Sequence, residues 1–287
     1  MKKIIINCDD FGATKKTNLA ITEALKKNKA SSASILSNGK HLNHAISQIK
    51  KHTKNNFFGI HLNLTEGKSL CKSKNNLLTD NQYNFKNKPE FFFLANHLSI
   101  KKKLKKSIYL EFKEQILNIK KRGIKISHFD SHQHIHHVPF INEIIKKLAK
   151  EFKIKKIRYI NEKFIVSNFF KNFIFKFFSN NYLKFLLIKI YQKKITYFKS
   201  SNYFFGILNS GKIDINELFK YIDSIDNNKT IELCIHPSFL NKKKDGNKYQ
   251  KFYTSINRDF ERKLLFSNIF KINLDKRKIK LISFNSL

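Results

Sequence analysis

A chain of 287 residues with 41% apolar content can bury one substantial core and is too apolar for wholesale disorder. Its 57 Lys and Arg against 21 Asp and Glu leave a formal charge of +36, a balance that ordinarily points to nucleic acid or an anionic surface. Here the basic residues are nearly all Lys and are scattered. Lys, Asn, Ile and Phe are abundant while Trp is absent, so compositional drift accounts for the excess and no specific nucleic-acid partner is expected. Cys8, Cys71 and Cys234 lie far apart with no CxxC pair, which argues against a disulfide framework or a thiolate zinc site and fits a reducing compartment.

The opening MKKIIINCDDFG is too short for a signal h-region. No run reaches the ~18 apolar residues of a spanning helix. A cytoplasmic location without a transmembrane segment is therefore expected.

Short apolar runs alternate with longer Lys-rich segments, the pattern of βαβ units around a parallel sheet. In chain order the expected strands are Lys3–Asn7, Ser31–Leu36, Phe57–Leu64, Ile124–Ser131, Ile157–Ile160, Ile231–Ile235 and Ile279–Phe284. The expected helices are Lys16–Asn28, Leu42–Lys51, Ile100–Arg122, Ile141–Phe152, Ile215–Asp226 and Ser255–Ile269. With no repeat, linker or break in composition, residues 1–287 read as a single α/β domain, a distorted (β/α) barrel with mostly parallel strands. Residues 164–198 form a hydrophobic and basic excursion, FFKNFIFKFF followed by YLKFLLIKIYQKK. A basic amphipathic helix of this kind suits a membrane surface. Packing on the barrel with its lysines turned outward is the reading favoured here, and peripheral membrane contact is the alternative.

Four clusters carry chemistry. Asp9 and Asp10 follow the first strand directly and precede Gly12. Two acids at a strand's C-terminal end lie where α/β barrels collect catalytic groups, although Asp is also a common N-cap. His61 sits between Ile60 and Leu62 in GIHLNLTEG, the setting of either a buried ligand or a hydrogen-bonded core histidine. His128, Asp130, His132, His134 and His136 recur at period two, which on a strand puts them on one face. So many imidazoles beside one carboxylate are costly as plain core, and metal binding explains them economically. Positions i and i+2 are roughly 6.6 Å apart along a strand, so only one or two of the five can reach a single ion. His236, in CIHPSF, ends a strand just before Pro237.

NCDDFG, GIHLNLTEG running into GKSL, SHFDSHQHIH and a late IHPSF, in this order, resemble the YdjC-like carbohydrate deacetylases. That group includes chitooligosaccharide deacetylases and the hopanoid-associated HpnK-like proteins. The resemblance runs over essentially the whole chain. It implies that Asp10, His61 and His132 hold a divalent metal, that Asp9 is the general base, and that His236 acts as acid or stabilises the oxyanion. It also implies that Arg158, in IRYINE, contacts substrate; the remaining members of the His-rich run, Asp130, His128, His134 and His136, are expected from their spacing to support the ligands or line the cleft. Phe205-Gly206 resembles the family's aromatic-Gly stretch, where Ser201 or Asn202 replaces a frequent Asp; that departure bears on substrate choice.

Two imidazoles and one carboxylate leave open positions on an ion, as catalytic sites require. The expected reaction is hydrolysis of an acetyl amide on a sugar, an oligosaccharide or a glycolipid head group, with one Mg2+ or Zn2+, or else Mn2+ or Co2+. The alternatives are hydrolysis of another ester or phosphoester, which usually wants more carboxylates, and a basic nucleic-acid-binding protein, which needs its charge on one face. The sequence leaves the oligomeric state open, a homodimer being the commonest assembly for such enzymes.

Overall fold

The computed structural model describes residues 1–52, 58–72, 77–164, 180–192, 197–240 and 253–287. Of the 164–198 excursion, 165–179 and 193–196 lie outside the described residues, as does Phe57 at the start of its expected strand. The elements are β1 (Lys3–Phe11), α1 (Lys15–Lys26), β2 (Ser32–Ile35), α2 (Leu42–His52), β3 (Phe58–Leu62), α3 (Pro89–Ala95), α4 (Lys101–Lys120), β4 (Ile126–Ser131) and α5 (Pro139–Phe152). They continue through α6 (Asn180–Tyr191), β5 (Tyr203–Phe205), α7 (Ile215–Asp223), β6 (Thr230–Ile235), α8 (Ile256–Phe266), α9 (Asn268–Lys276) and β7 (Lys280–Leu281).

The strands form one curled parallel sheet in the order β4-β3-β2-β1-β6-β5, with β7 pairing the first residues of β1. β1 is central and almost wholly buried, as a strand covered on both faces must be, and its IIIN run supplies that burial. Between β4 and β5 the gap is spanned by single bridges, Phe129 with Ile157 and Lys156 with Lys199, and by the Phe204 amide donating to the Asn161 carbonyl at 3.3 Å. The strand expected over Ile157–Ile160 is therefore reduced to bridges. The strand expected over Ile279–Phe284 shortens to Lys280–Leu281 before a 3-10 turn at Phe284–Ser286. α6 buries Phe185 and Ile188 against the body, so its described part packs on the barrel. No described helix is long and apolar enough to cross a membrane.

Inside the curl the side chains lie in layers. At the N-terminal end, Ile5, Ile282 and Phe284 form an apolar plug. His128 stacks on Phe284 with ring centroids 3.6 Å apart. Gly59 on β3 makes room for that ring, since a Cβ there would meet it at 2.4 Å. A polar layer follows: Asn7, Ser34, Asp130, Arg158 and Glu232, all buried. The C-terminal ends of the strands then open on a cleft.

Candidate metal centre and cleft

The register of β1 against β2 shifts between Cys8 and Phe11, and Asp10 has a left-handed φ of 66°. Adjacent residues of a regular strand face opposite ways, and this bulge turns both Asp9 and Asp10 toward the barrel mouth. Gly12 completes the turn with φ of 115°, where a Cβ would lie 2.9 Å from the Leu36 carbonyl oxygen. The energetic cost of placing a non-Gly residue at such a φ makes Asp10 a strained position, of the kind that persists where surrounding contacts hold it.

Those contacts are specific. Asp10 Oδ1 is 3.5 Å from His61 Nε2 and 3.2 Å from His132 Nδ1, and Asp10 Oδ2 pairs with Arg258 of α8 at 2.8 Å. One nitrogen of each histidine thus converges on Asp10, within 4.8 Å of one another. The opposite nitrogens face carboxylates: His61 Nδ1 lies 2.9 Å from Asp130 Oδ1 and His132 Nε2 lies 3.3 Å from Glu66 Oε1. An imidazole anchored by a carboxylate on one side presents its other nitrogen in a fixed orientation, the usual support of a metal-ligating histidine. Asp10 Oδ1 is buried without a hydrogen-bond partner. A divalent ion fits this group, since it would satisfy that orphaned oxygen and both inward nitrogens. Two other groupings, Asp9 with Cys234 and His236 and Asp9 with His61 and Asp130, suit an ion less well, because the Arg158 guanidinium already neutralises Asp9 through both of its oxygens.

Arg158 clamps Asp9 at both oxygens, 2.7 Å each. Asn7 donates to Oδ1 at 2.7 Å and the Cys234 thiol to Oδ2 at 3.2 Å. Burial alone would raise the Asp9 carboxyl, but the Arg158 guanidinium outweighs it and holds the carboxyl well below its ordinary range. Asp10 is likewise held low against burial by Arg258 and His132. Burial would lower His132, yet Glu66 and Asp10 on either side raise it to about 10; His61 is raised too, chiefly by Asp130 and Asp9 against its burial.

His236 follows β6, with Nε2 4.0 Å from Asp9 Oδ2. Its backbone N–H donates to Glu261 Oε2 at 2.6 Å, and its Nδ1 lies 3.4 Å from the same oxygen. Burial would raise Glu261, and His236 more than offsets this.

The period-two face expected from His128 to His136 holds only while the strand lasts, and this is a correction. β4 ends at Ser131, and His132–His137 form a 3-10 segment in which Gln133 and His134 both take left-handed backbone angles. The turn places His132 over Asp10. His134 lines the cleft, while His136 folds back onto Ser131, its Nδ1 2.6 Å from the hydroxyl. His128 points to the apolar plug, away from the cleft. Arg158 is fully buried among Asp9, Asp130 and Glu232, so the structure places it beneath the site and not in the cleft.

The cleft has a volume of about 700 Å³, with Asp9, Asp10, His61, His132 and His236 on its floor. Glu66, Arg258 and Glu261 were not singled out by sequence. Glu66 sits inside the GIHLNLTEG stretch, where the spacing from His61 was the available signal. Arg258 and Glu261 lie in a charged helix, INRDFERKLLF, where ion pairs usually face solvent.

Residues 3–276 match the family model described as YdjC-like protein. A carbohydrate deacetylase of Clostridium beijerinckii is 30% identical over 84% of this chain and 83% of its own length. One of Brevibacillus brevis is 27% identical over 99% of both. A crystal structure of an Enterococcus faecalis V583 protein, named for cellobiose-phosphate cleavage, superposes with a TM-score of 0.69 at 20% identity over 99% of this chain and 98% of that one; at that identity the likeness speaks for the fold. By sequence over nearly its whole length, the chain belongs to the YdjC-like protein family.

Proposed function

We propose that this protein is a metal-dependent hydrolase that removes an acetyl group from an N-acetylated sugar. The observation that carries the reading is the placement of an Arg-clamped carboxylate, Asp9, beside the Asp10, His61 and His132 group, with His236 Nε2 4.0 Å from it. The deacetylase names of the two relatives agree with it. When bound, a divalent ion supplies Lewis acidity at the cleft floor. Two imidazole donors favour zinc, cobalt or manganese over magnesium, which prefers oxygen ligands.

The chain's own residues divide the proton work. Asp9, held ionised by Arg158, receives the proton of the attacking water. The clamp also holds the carboxylate in one orientation at the cleft floor. His236 delivers a proton to the departing amine nitrogen, while Glu261 fixes the ring from behind. His134, with Nδ1 buried and unpartnered, lines the cleft and serves the sugar as a neutral hydrogen-bonding group. Burial first, and Arg158 second, hold its imidazole well below the ordinary range.

Acetate release from a panel of N-acetylated mono- and oligosaccharides tests the reading. Release should vanish on metal stripping, return with zinc, cobalt or manganese, and collapse in Asp9→Asn with metal still bound. Release that survives stripping, or an unimpaired Asp9→Asn protein, would sink the assignment of these roles.

A further inference from the structure

We propose that the outer face of α6, together with α3 and the start of α4, docks on an anionic lipid bilayer. α6 presents Leu183, Leu186 and Ile190 at 49%, 36% and 71% exposure. They are spaced i, i+3 and i+7, so they form one stripe opposite the buried Phe185 and Ile188. α3 packs on the same helix: Phe93 meets the Tyr191 ring at 5.5 Å and His97 Nε2 lies 3.1 Å from the Tyr191 hydroxyl. On α3 and just after it, Leu94 and Leu98 are exposed by 62% and 53%.

Charge selects the occupant. Residues 91–110 and 180–191 contain no acidic residue, and Lys102, Lys103 and Lys106 are exposed at the start of α4, just after Leu98. An apolar stripe bordered by lysines matches an anionic interface, with side chains entering the acyl boundary and ammonium groups at the headgroups. A second copy fits poorly, because two chains of charge +36 would bring the same lysine-bordered face together. The inner face of α6 belongs to the cleft wall through Asn181 and Lys184. Docking therefore sets the cleft beside the headgroup layer. The surface does not depend on the deacetylation chemistry, and its test does not use the enzymatic reaction.

The experiment is sedimentation of the full-length chain with vesicles of phosphatidylcholine alone and of phosphatidylcholine mixed equally with phosphatidylglycerol, at physiological salt. Binding is expected only to the mixed vesicles. The triple variant Leu183→Ser/Leu186→Ser/Ile190→Ser should bind at least about tenfold more weakly. The double variant Ile269→Ser/Ile272→Ser, which removes exposed apolar residues from α9, should change affinity less than about twofold. Because the chain has no Trp, Leu186→Trp gives a single reporter, expected to shift blue and to be quenched by brominated lipid. That readout decides the matter even if the triple variant folds poorly. No binding, equal losses in the two serine variants, or a Trp that stays solvent-exposed on the vesicles would overturn the proposal; the last two outcomes would show charge attraction alone.

Discussion

His132 and His137 bound the same short 3-10 segment, and both are buried. His132 stands between Glu66 and Asp10 and is raised to about 10. Among the described residues no carboxylate stands beside His137; burial, then Arg158 and Lys189, lower it to about 3. His136, against Ser131 and the His137 ring, is lowered in the same way. One motif thus divides into an imidazole poised among acids, where a cation is welcome, and a neutral pair that serves as polar packing. The residue type does not decide the role; the neighbouring carboxylates do.

The sharpest way to break this contrast is at the ligands. Asp10→Ala or His132→Ala should remove stoichiometric metal and lower kcat/KM by about three orders of magnitude or more, read by elemental analysis beside acetate release. His236→Ala should retain metal and cost roughly 10²–10⁴ in kcat, the range for a positioned proton donor. Glu66→Gln keeps the shape of the His132 partner but not its charge. It should weaken metal affinity about 10–100-fold, measured by competition with a chelator. At the other pole, His137→Phe should leave metal affinity unchanged and shift stability by under about 1.5 kcal/mol, as for a volume-conserving swap.

The pH dependence follows from the same contrast. His132 titrates ordinarily at 6.5 and at about 10 in the folded metal-free protein. A raised folded value contributes stability that is complete below the unfolded pKa and is lost as pH rises through the folded one. The metal-free protein should therefore lose thermal stability between about pH 7 and pH 10. Zinc should flatten that slope, because ligation takes the proton's place, and its binding at neutral pH should release protons to the buffer. A metal-free melting temperature that rises across this range would contradict the placement of His132 between two acids.

Much of the fold was legible because burial dictates composition: KIIINC, SASI and TIELCI read as strands that must be covered on both faces. What escaped the sequence depended on backbone turns. The left-handed angles at Asp10, Gln133 and His134 belong to non-glycine residues and leave no local signature, so the His-rich run read as a continuing strand. β5 was missed because YFF is three residues long, below the length at which periodicity shows. The residues of the candidate metal centre were singled out from four motifs in order, whereas Arg258 and Glu261 come from a helix whose charges look like a solvated face. Ion pairs between distant elements, such as Arg258 with Asp10, have no sequence period to reveal them.

In the proposed mechanism Asp9 accepts the proton at a site whose metal is held by Asp10, His61 and His132. The most direct measurement is metal content and acetate release on the same samples of wild type and Asp9→Asn, from N-acetylated sugars. One bound divalent ion per chain is expected in both proteins, with release falling about a hundredfold or more in the variant. Equal release from both, or a wild-type protein that hydrolyses with no metal bound, would contradict it.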